Sequence, residues 1–355
     1  MNAGRIFSTA PRRVYWEVTR ACDLACRHCR AEAAPGPDPA ELSTAEGLAL
    51  IDRLAGFGTP LPHLVVTGGD PLKRDDLWSL ISLARVLGFG VSVAPSATPL
   101  LTPAIVRRLR GPGVEAISLS LDGSDAGRHD ALRGMPGCFS RTLAAGGAAR
   151  LAGLPFQINT LVSRETLPDL AAIYEVAKGM GASRWSLFFL VTVGRGTVLD
   201  PISAQDCEQL FDWLAALPGT DGPVVTTTEA PHFRRVLLQR DRRPAGRRPA
   251  HQAAAGIRDG NGIMFISHTG DVYPSGFLPL SAGTVRREDP VSIYRSSTLF
   301  RALRRPELLQ GRCGRCAFRS VCGGSRARAF AATGSPVAED PLCRYEPFEH
   351  TRLPS

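Results

Sequence analysis

Between residues 14 and 190 the chain repeats one pattern, a short apolar run followed by a longer stretch whose apolar residues recur every three or four positions. The short runs Val14–Thr19, His63–Thr67, Val91–Ala94, Ala116–Leu121, Phe156–Leu161 and Trp185–Leu190 predict strands. The intervening stretches Ala45–Leu54, Leu77–Leu87 and Leu167–Met180 predict helices. Strand, helix and strand in repetition require parallel pairing with right-handed crossovers, an α/β fold. Six such units make either a partial barrel or an open sheet, and periodicity alone does not choose.

After Pro201 the pattern changes to a helical run, Ala204–Leu217, and a strand at Val224–Thr228. A basic stretch holding Arg240, Arg242, Arg243, Arg247 and Arg248 then reads as a solvated loop. Gly262–Ser267 and Asp271–Pro274, split by His268-Thr269-Gly270, predict a hairpin. At 355 residues the chain exceeds what one core usually organises, so three parts are expected: residues 1–200, a helical and basic connecting segment 201–260, and a small unit 261–355.

No apolar run reaches the length of about 18 residues needed to cross a membrane, and Met1 to Pro11 has no secretory signal pattern. The expected location is therefore a reducing cytoplasm. There the 9 cysteines serve as metal ligands or buried thiols rather than disulfides. The net charge of +9 favours an anionic partner, but no nucleic-acid recognition motif is present.

Cys22, Cys26 and Cys29 stand as C-x3-C-x2-C directly after the first strand. Three thiolates on one short loop suit an iron–sulfur cubane that keeps one iron open for a ligand. The loop also falls at the carboxyl edge of the sheet, where α/β folds bind ligands. A closed zinc site would need a fourth ligand nearby, and none is present. Cys313, Cys316, Cys322 and Cys343 form C-x2-C-x5-C-x20-C, which equally suits a closed cubane or zinc. Cys138 and Cys207 are isolated and read as structural thiols.

The triad after a first strand resembles the hallmark of the radical SAM superfamily, and the likeness extends along the chain. Thr67-Gly68-Gly69-Asp70-Pro71 is similar to the family's Gly-Gly-Glu-type motif, whose backbone contacts the methionine amine; Asp70 replaces the glutamate. Ser118 to Gly123 resembles the ribose-binding segment, implying contacts from Ser120 and Asp122, and Asn159 matches another position facing the cofactor. Gly194 lies in a stretch resembling the adenine-side backbone, and His28 stands where relatives place an aromatic near adenine. The resemblance implies a partial (β/α)6 TIM-like barrel with a small C-terminal Fe–S domain of SPASM/twitch-like type. It also implies S-adenosylmethionine, two [4Fe-4S] clusters and a low-potential electron donor such as flavodoxin or ferredoxin.

Within the family the chain resembles the branch holding the iron-coproporphyrin decarboxylase of the alternative haem pathway. Shared stretches include Ala230-Pro231-His232-Phe233 and Phe265-Ile266-Ser267-His268. In double-cluster relatives further cysteines occupy the places of Glu229, Ser275 and Ser325, so an inner auxiliary cluster is not expected. The implied substrate is a carboxylate-bearing tetrapyrrole, with oxidative decarboxylation as the outcome. His232, His251 and His268 are candidate ligands for its metal. A ribosomally made peptide is the alternative substrate, although only 13 residues precede the first strand, too few for a leader-binding domain. A metal-bound sensor would not need the cofactor motifs at the strand ends.

Overall fold

The computed structural model describes residues 6–218, 221–240 and 256–347. Strands β1 (Arg13–Glu17), β2 (His63–Thr67), β3 (Val91–Val93), β4 (Ala116–Ser120), β5 (Phe156–Val162), β6 (Arg184–Phe189) and β7 (Val224–Thr228) run parallel in chain order. Helices α1 (Thr44–Leu54), α2 (Leu77–Val86), α3 (Pro103–Arg110), α4 (Ala126–Arg133), α5 (Cys138–Leu151), α6 (Leu170–Gly179) and α7 (Ala204–Ala216) fill the crossovers. The strand and helix expectations hold to within a few residues. The exception is the stretch from Leu167, which begins as a 3-10 turn because Pro168 occupies its first turn.

Helix starts follow local chemistry. Ser43 caps α1 and Glu46 reaches back to the Ser43 backbone N–H, while Ser203 and Asp206 do the same for α7. Asp125 caps α4, and Gly134 ends it in a left-handed conformation that a side chain would disfavour.

One face of the sheet packs on these helices. Trp16 is fully buried beneath α1, where a Cβ at Gly47 would stand 3.0 Å from the indole, so any side chain there would force its neighbours to shift. Trp185 packs tilted on Tyr174 of α6 and edge-on to Trp213 of α7. The opposite face carries Tyr15, Thr67, Ser92, Ser120, Gln157, Asn159 and Arg184, all partly exposed, and lines the concave interior. This alternation places apolar residues against the helices and polar residues inside.

The sheet is larger than the six strands expected. After α8 (Phe233–Arg240), β8 (Ile263–Ile266) pairs parallel to β1, and β9 (Asp271–Tyr273) and β10 (Gly283–Thr284) follow antiparallel, giving one 10-stranded sheet. The expected hairpin therefore forms, but it continues the barrel sheet through ladder bonds that no local pattern announces. The C-terminal residues form α9 (Pro290–Ser296), α10 (Thr298–Leu303), α11 (Gly311–Arg315) and α12 (Arg326–Thr333). Most of the arginine-rich stretch, and His251, lie outside the described residues.

Candidate active site

The loop leaving β1 is stitched at its base, where the Cys22 N–H donates to Ala34 O at 2.7 Å and the Ala34 N–H to Arg20 O at 3.2 Å. Along this loop lie the three cysteines of the triad, with charge on Cys26 acting on Cys22 and charge on Cys29 acting on Cys26. Cys22 Sγ accepts from the Leu24 N–H at 3.4 Å and lies 3.6 Å from Ser96 Oγ. Cys29 Sγ accepts from the Ala33 N–H at 3.5 Å, and Arg133 Nη1 donates to Cys26 Sγ at 3.7 Å. Burial pushes the free Cys22 and Cys26 thiols up. Donors aimed at sulfur, one of them cationic, are what thiolate ligands of a cluster require, so the donor set fits a [4Fe-4S] group. Neither Ser96 nor Arg133 is a ligand type, and no sequence motif marked Arg133.

Gly68 and Gly69 sit against this loop. A Cβ on Gly68 would fall 2.5 Å from Thr19 O, and one on Gly69 the same distance from Ala21 O. The glycines are thus required by close approach of two loops, with the Gly69 N–H donating to Thr19 O at 2.8 Å. The Asp70 carboxylate is wholly buried and accepts from the Leu72 N–H, the Ser96 N–H and Thr98 Oγ at 3.1, 3.3 and 2.8 Å. It latches the loops after β2 and β3 together, beside the cysteines.

The remaining cofactor candidates gather on the β4–β6 side. Ser120 and Asn159 are register partners on the concave face, and Asn159 pairs in turn with Ser186. Asp122, for which the resemblance implies a ribose contact, is engaged by groups of the protein. It is buried, accepts from the Leu161 N–H at 2.6 Å and ion-pairs with Arg133. Burial alone would raise its carboxyl, but Arg133 overrides this and holds it below the usual range. Asp122 therefore positions Arg133, and Arg133 meets Cys26. Gly194, at φ +52°, lies where a Cβ would be 2.7 Å from Cys29 O, and the Arg195 N–H donates to that same carbonyl at 3.0 Å. Nearby, His28 Nδ1 and Arg195 Nε and Nη2 are enclosed without hydrogen-bond partners. Burial drives the His28 imidazole down to about 4, so it is neutral. These orphaned polar atoms suit a polar ligand between the third cysteine and the loop after β6.

Cys313, Cys316, Cys322 and Cys343 line one hollow together with His232, Arg235, Arg312, Asp340 and Tyr345. Arg326 Nη2 lies 3.8 Å from Cys313 Sγ, and the Gly324 N–H donates to Cys322 Sγ at 3.3 Å. Among the described residues, no group of three or more His, Cys, Asp or Glu side chains is placed to hold a single metal ion. Glu229 and Ser325, two of the three residues that the resemblance sets against cysteines, meet directly, Ser325 Oγ donating to Glu229 Oε2. Ser275, the third, is buried and accepts from the Phe277 N–H at 3.3 Å.

His232 and His268, two of the three histidines expected as candidate metal ligands, are both engaged by protein groups. His232 is 1% exposed, with Nε2 at 3.3 Å from Cys207 Sγ and its ring edge-on to Phe211, so no porphyrin face can reach it. His268 is held by Glu17 at 2.8 Å and by Asp38 at 3.4 Å. Glu17 also pairs with Arg30, whose guanidinium lies 4.4 Å from the Phe265 ring centroid. Cys138 and Cys207 are buried thiols, as expected.

A parallel sheet curved about a polar interior, with a three-cysteine loop at the carboxyl end of its first strand, defines the class: residues 16–177 match the radical SAM superfamily, and the chain belongs to it. It is an enzyme that uses S-adenosylmethionine and a [4Fe-4S] cluster. More particularly, it is 41% identical over 347 residues to the AdoMet-dependent heme synthase of Oleidesulfovibrio alaskensis, covering 96% of this chain and 89% of that protein. It is also 31% identical to the mycofactocin maturase MftC of Mycobacterium tuberculosis, covering 94% and 83%. The fold is similar to that of Streptococcus suis SuiB, solved bound to its precursor peptide SuiA, with a TM-score of 0.72 at 15% identity over 96% of this chain and 77% of that one. Among the described residues no helix is long and apolar enough to cross a membrane.

Proposed function

We propose that the chain cleaves S-adenosylmethionine at a cluster held by Cys22, Cys26 and Cys29 and takes hydrogen from a carboxylate-bearing tetrapyrrole, leading to oxidative decarboxylation. When bound, the cluster would supply the electron that splits the sulfonium and leaves a 5′-deoxyadenosyl radical. The chain's own groups bind and orient. The Gly68–Gly69 turn and Asp70 fix the floor of the methionine side, Ser120 and Asn159 offer polar contacts to the ribose, and His28 and Gly194 flank the adenine side. Cys313, Cys316, Cys322 and Cys343 would hold a second cubane, which would accept the electron released when the substrate radical loses carbon dioxide.

The observation that carries the substrate class is the wall beside the triad. Arg30, the residue after Cys29, places its guanidinium 4.4 Å from the Phe265 ring centroid, while Phe277 reaches Phe188 of β6 at 6.4 Å between ring centroids. Flat aromatic and guanidinium surfaces beside a polar interior suit a planar conjugated ring with acidic side chains. The whole-length likeness to a heme synthase supports the same reading.

The test is anaerobic turnover with dithionite and iron-coproporphyrin or metal-free coproporphyrin, reading 5′-deoxyadenosine, carbon dioxide and the Soret band. Release of carbon dioxide in step with 5′-deoxyadenosine is expected. If neither porphyrin binds while slow uncoupled cleavage proceeds, the peptide reading, supported by the likeness to mycofactocin maturase, takes its place.

A further inference from the structure

Arg30 follows Cys29 in the chain and carries its side chain from the cysteine loop onto the concave face of the sheet. Glu17, the last residue of β1, and Phe265 of β8 both stand on that face, since Phe265 is the register partner of Tyr15. Arg30 Nη2 is 2.9 Å from Glu17 Oε2, and the guanidinium carbon is 4.4 Å from the Phe265 ring centroid. Gly276 closes on the same pair: a Cβ there would stand 2.9 Å from Arg30 Nε and 3.2 Å from Phe265 Cδ2. The next residue, Phe277, meets Phe188 of β6. One cation thus joins the third cysteine's loop to an aromatic wall that reaches from β8 to β6.

The guanidinium is held but not used up. Glu17 offers it one oxygen only, because Glu17 Oε1 is taken by His268 Nδ1 at 2.8 Å, and His268 Nε2 lies 3.4 Å from Asp38. Burial alone would raise the Glu17 carboxyl, but Arg30 and His268 hold it below the usual range, so it stays a fixed anion. A guanidinium carries five N–H donors, and among the described residues Arg30 Nε and Nη1 have no protein acceptor. The Arg30 side chain is 21% exposed and that of Glu17 4%, so the open member of the pair is the arginine. A cation aimed by a buried anion, with donors still free, is preorganised for a second carboxylate.

We propose that Arg30 anchors the carboxylate at the reacting end of the substrate, beside the cysteine triad, while Phe188 and Phe277 receive the ring that bears it. This rests on the carboxylate-bearing substrate proposed above. Glu17 and His268 act as positioning residues that fix the direction of the fork, and Gly276 leaves it room. The planar fork matches a carboxylate in a way that a lysine cannot. Because Arg30 adjoins Cys29 in the chain, the carboxylate it holds lies within one side chain's length of the loop that carries the triad. Fixing that end orients the neighbouring carbon for hydrogen removal.

The experiment titrates reconstituted protein at fixed ionic strength with coproporphyrin, with its tetramethyl ester and with S-adenosylmethionine, and follows propionate by saturation-transfer NMR. Arg30→Gln, Arg30→Lys and Gly276→Ala are compared with Arg107→Gln, which removes an exposed arginine of α3. Arg30→Gln should weaken coproporphyrin about tenfold or more, as the loss of a hydrogen bond to a charged group does, and Arg30→Lys should recover part of the loss. Gly276→Ala keeps the charge but displaces it, and should weaken coproporphyrin as well. The ester, which has no carboxylate, should bind the parent and Arg30→Gln alike, and S-adenosylmethionine affinity should not follow residue 30. Arg107→Gln should match the parent throughout. Equal coproporphyrin binding by Arg30→Gln, an equal loss with the ester, or a loss of S-adenosylmethionine affinity of the same size overturns the anchor. The last result would assign the guanidinium to the methionine carboxylate. Should Arg30→Gln load less iron than the parent, Gly276→Ala decides instead, and parent affinity in that variant overturns the anchor. If the parent binds no porphyrin, a propionate signal that Arg30→Gln loses upholds the anchor and removes only the tetrapyrrole reading, whereas no such signal overturns both.

Discussion

Arg133, the last residue of α4, places its guanidinium 3.7 Å from Cys26 Sγ while ion-pairing with the buried Asp122. One buried cation therefore joins the end of β4 to the middle cysteine of the triad. Removing it leaves Asp122 buried without its countercharge, which typically costs about 3–5 kcal/mol. Arg133→Ala should lower the urea midpoint accordingly. Arg133→Lys should recover part of the loss, lacking only the second arm of the fork. In redox titration of whichever variant loads iron, the N-terminal cluster should become harder to reduce, since a positive charge beside a ligand sulfur has gone. An unchanged potential would remove Arg133 from the electrostatics of the site.

Replacing Cys22, Cys26 and Cys29 together with alanine should abolish 5′-deoxyadenosine release under dithionite, while the C-terminal cysteines still bind iron. Cleavage persisting in that protein would refute the assignment of the triad.

Iron analysis of anaerobically reconstituted protein should give about eight atoms per chain, from two cubanes with thiolate ligands. About twelve would mean that Glu229, Ser275 and Ser325 do not prevent an inner cluster. About four, with one zinc, would make the C-terminal site a zinc centre.

Gly194 combines a left-handed backbone with close approach to the triad's loop. Its φ is +52°, and a Cβ would stand 2.6 Å from Arg30 O and 2.7 Å from Cys29 O. Gly194→Ala must displace the third cysteine's loop or its own, at a cost of about 1–3 kcal/mol. S-adenosylmethionine affinity should fall with only a modest change in melting temperature. Iron content and affinity both matching the parent would show that this contact does not hold the site.

Much of the barrel was legible before any coordinates. His63–Thr67 and Val224–Thr228 are strands with the expected limits, because short β-rich runs between turn residues carry their own period. The triad was equally clear, since three cysteines within eight residues must share one loop. The Asp122 carboxylate has a partner that no local pattern shows. Its motif marked the end of β4, whereas Arg133, the residue that takes up its carboxylate, belongs to no motif. The same holds for His232, whose neighbours in sequence reveal nothing of the Phe211 and Cys207 that enclose it.

The sequence by itself determined what short-range spacing can encode: alternating strands and helices, the caps that begin the helices, and two sets of cysteines. Tertiary structure alone decided which distant groups serve those elements. Ser96 reaches Cys22 across 74 positions and Arg133 reaches Cys26 across 107. β8 closes on β1 by ladder bonds, and the sheet curves about a polar interior. Strand twist and helix packing set that curvature, and they sum over every strand and helix in the sheet rather than residing in any one segment.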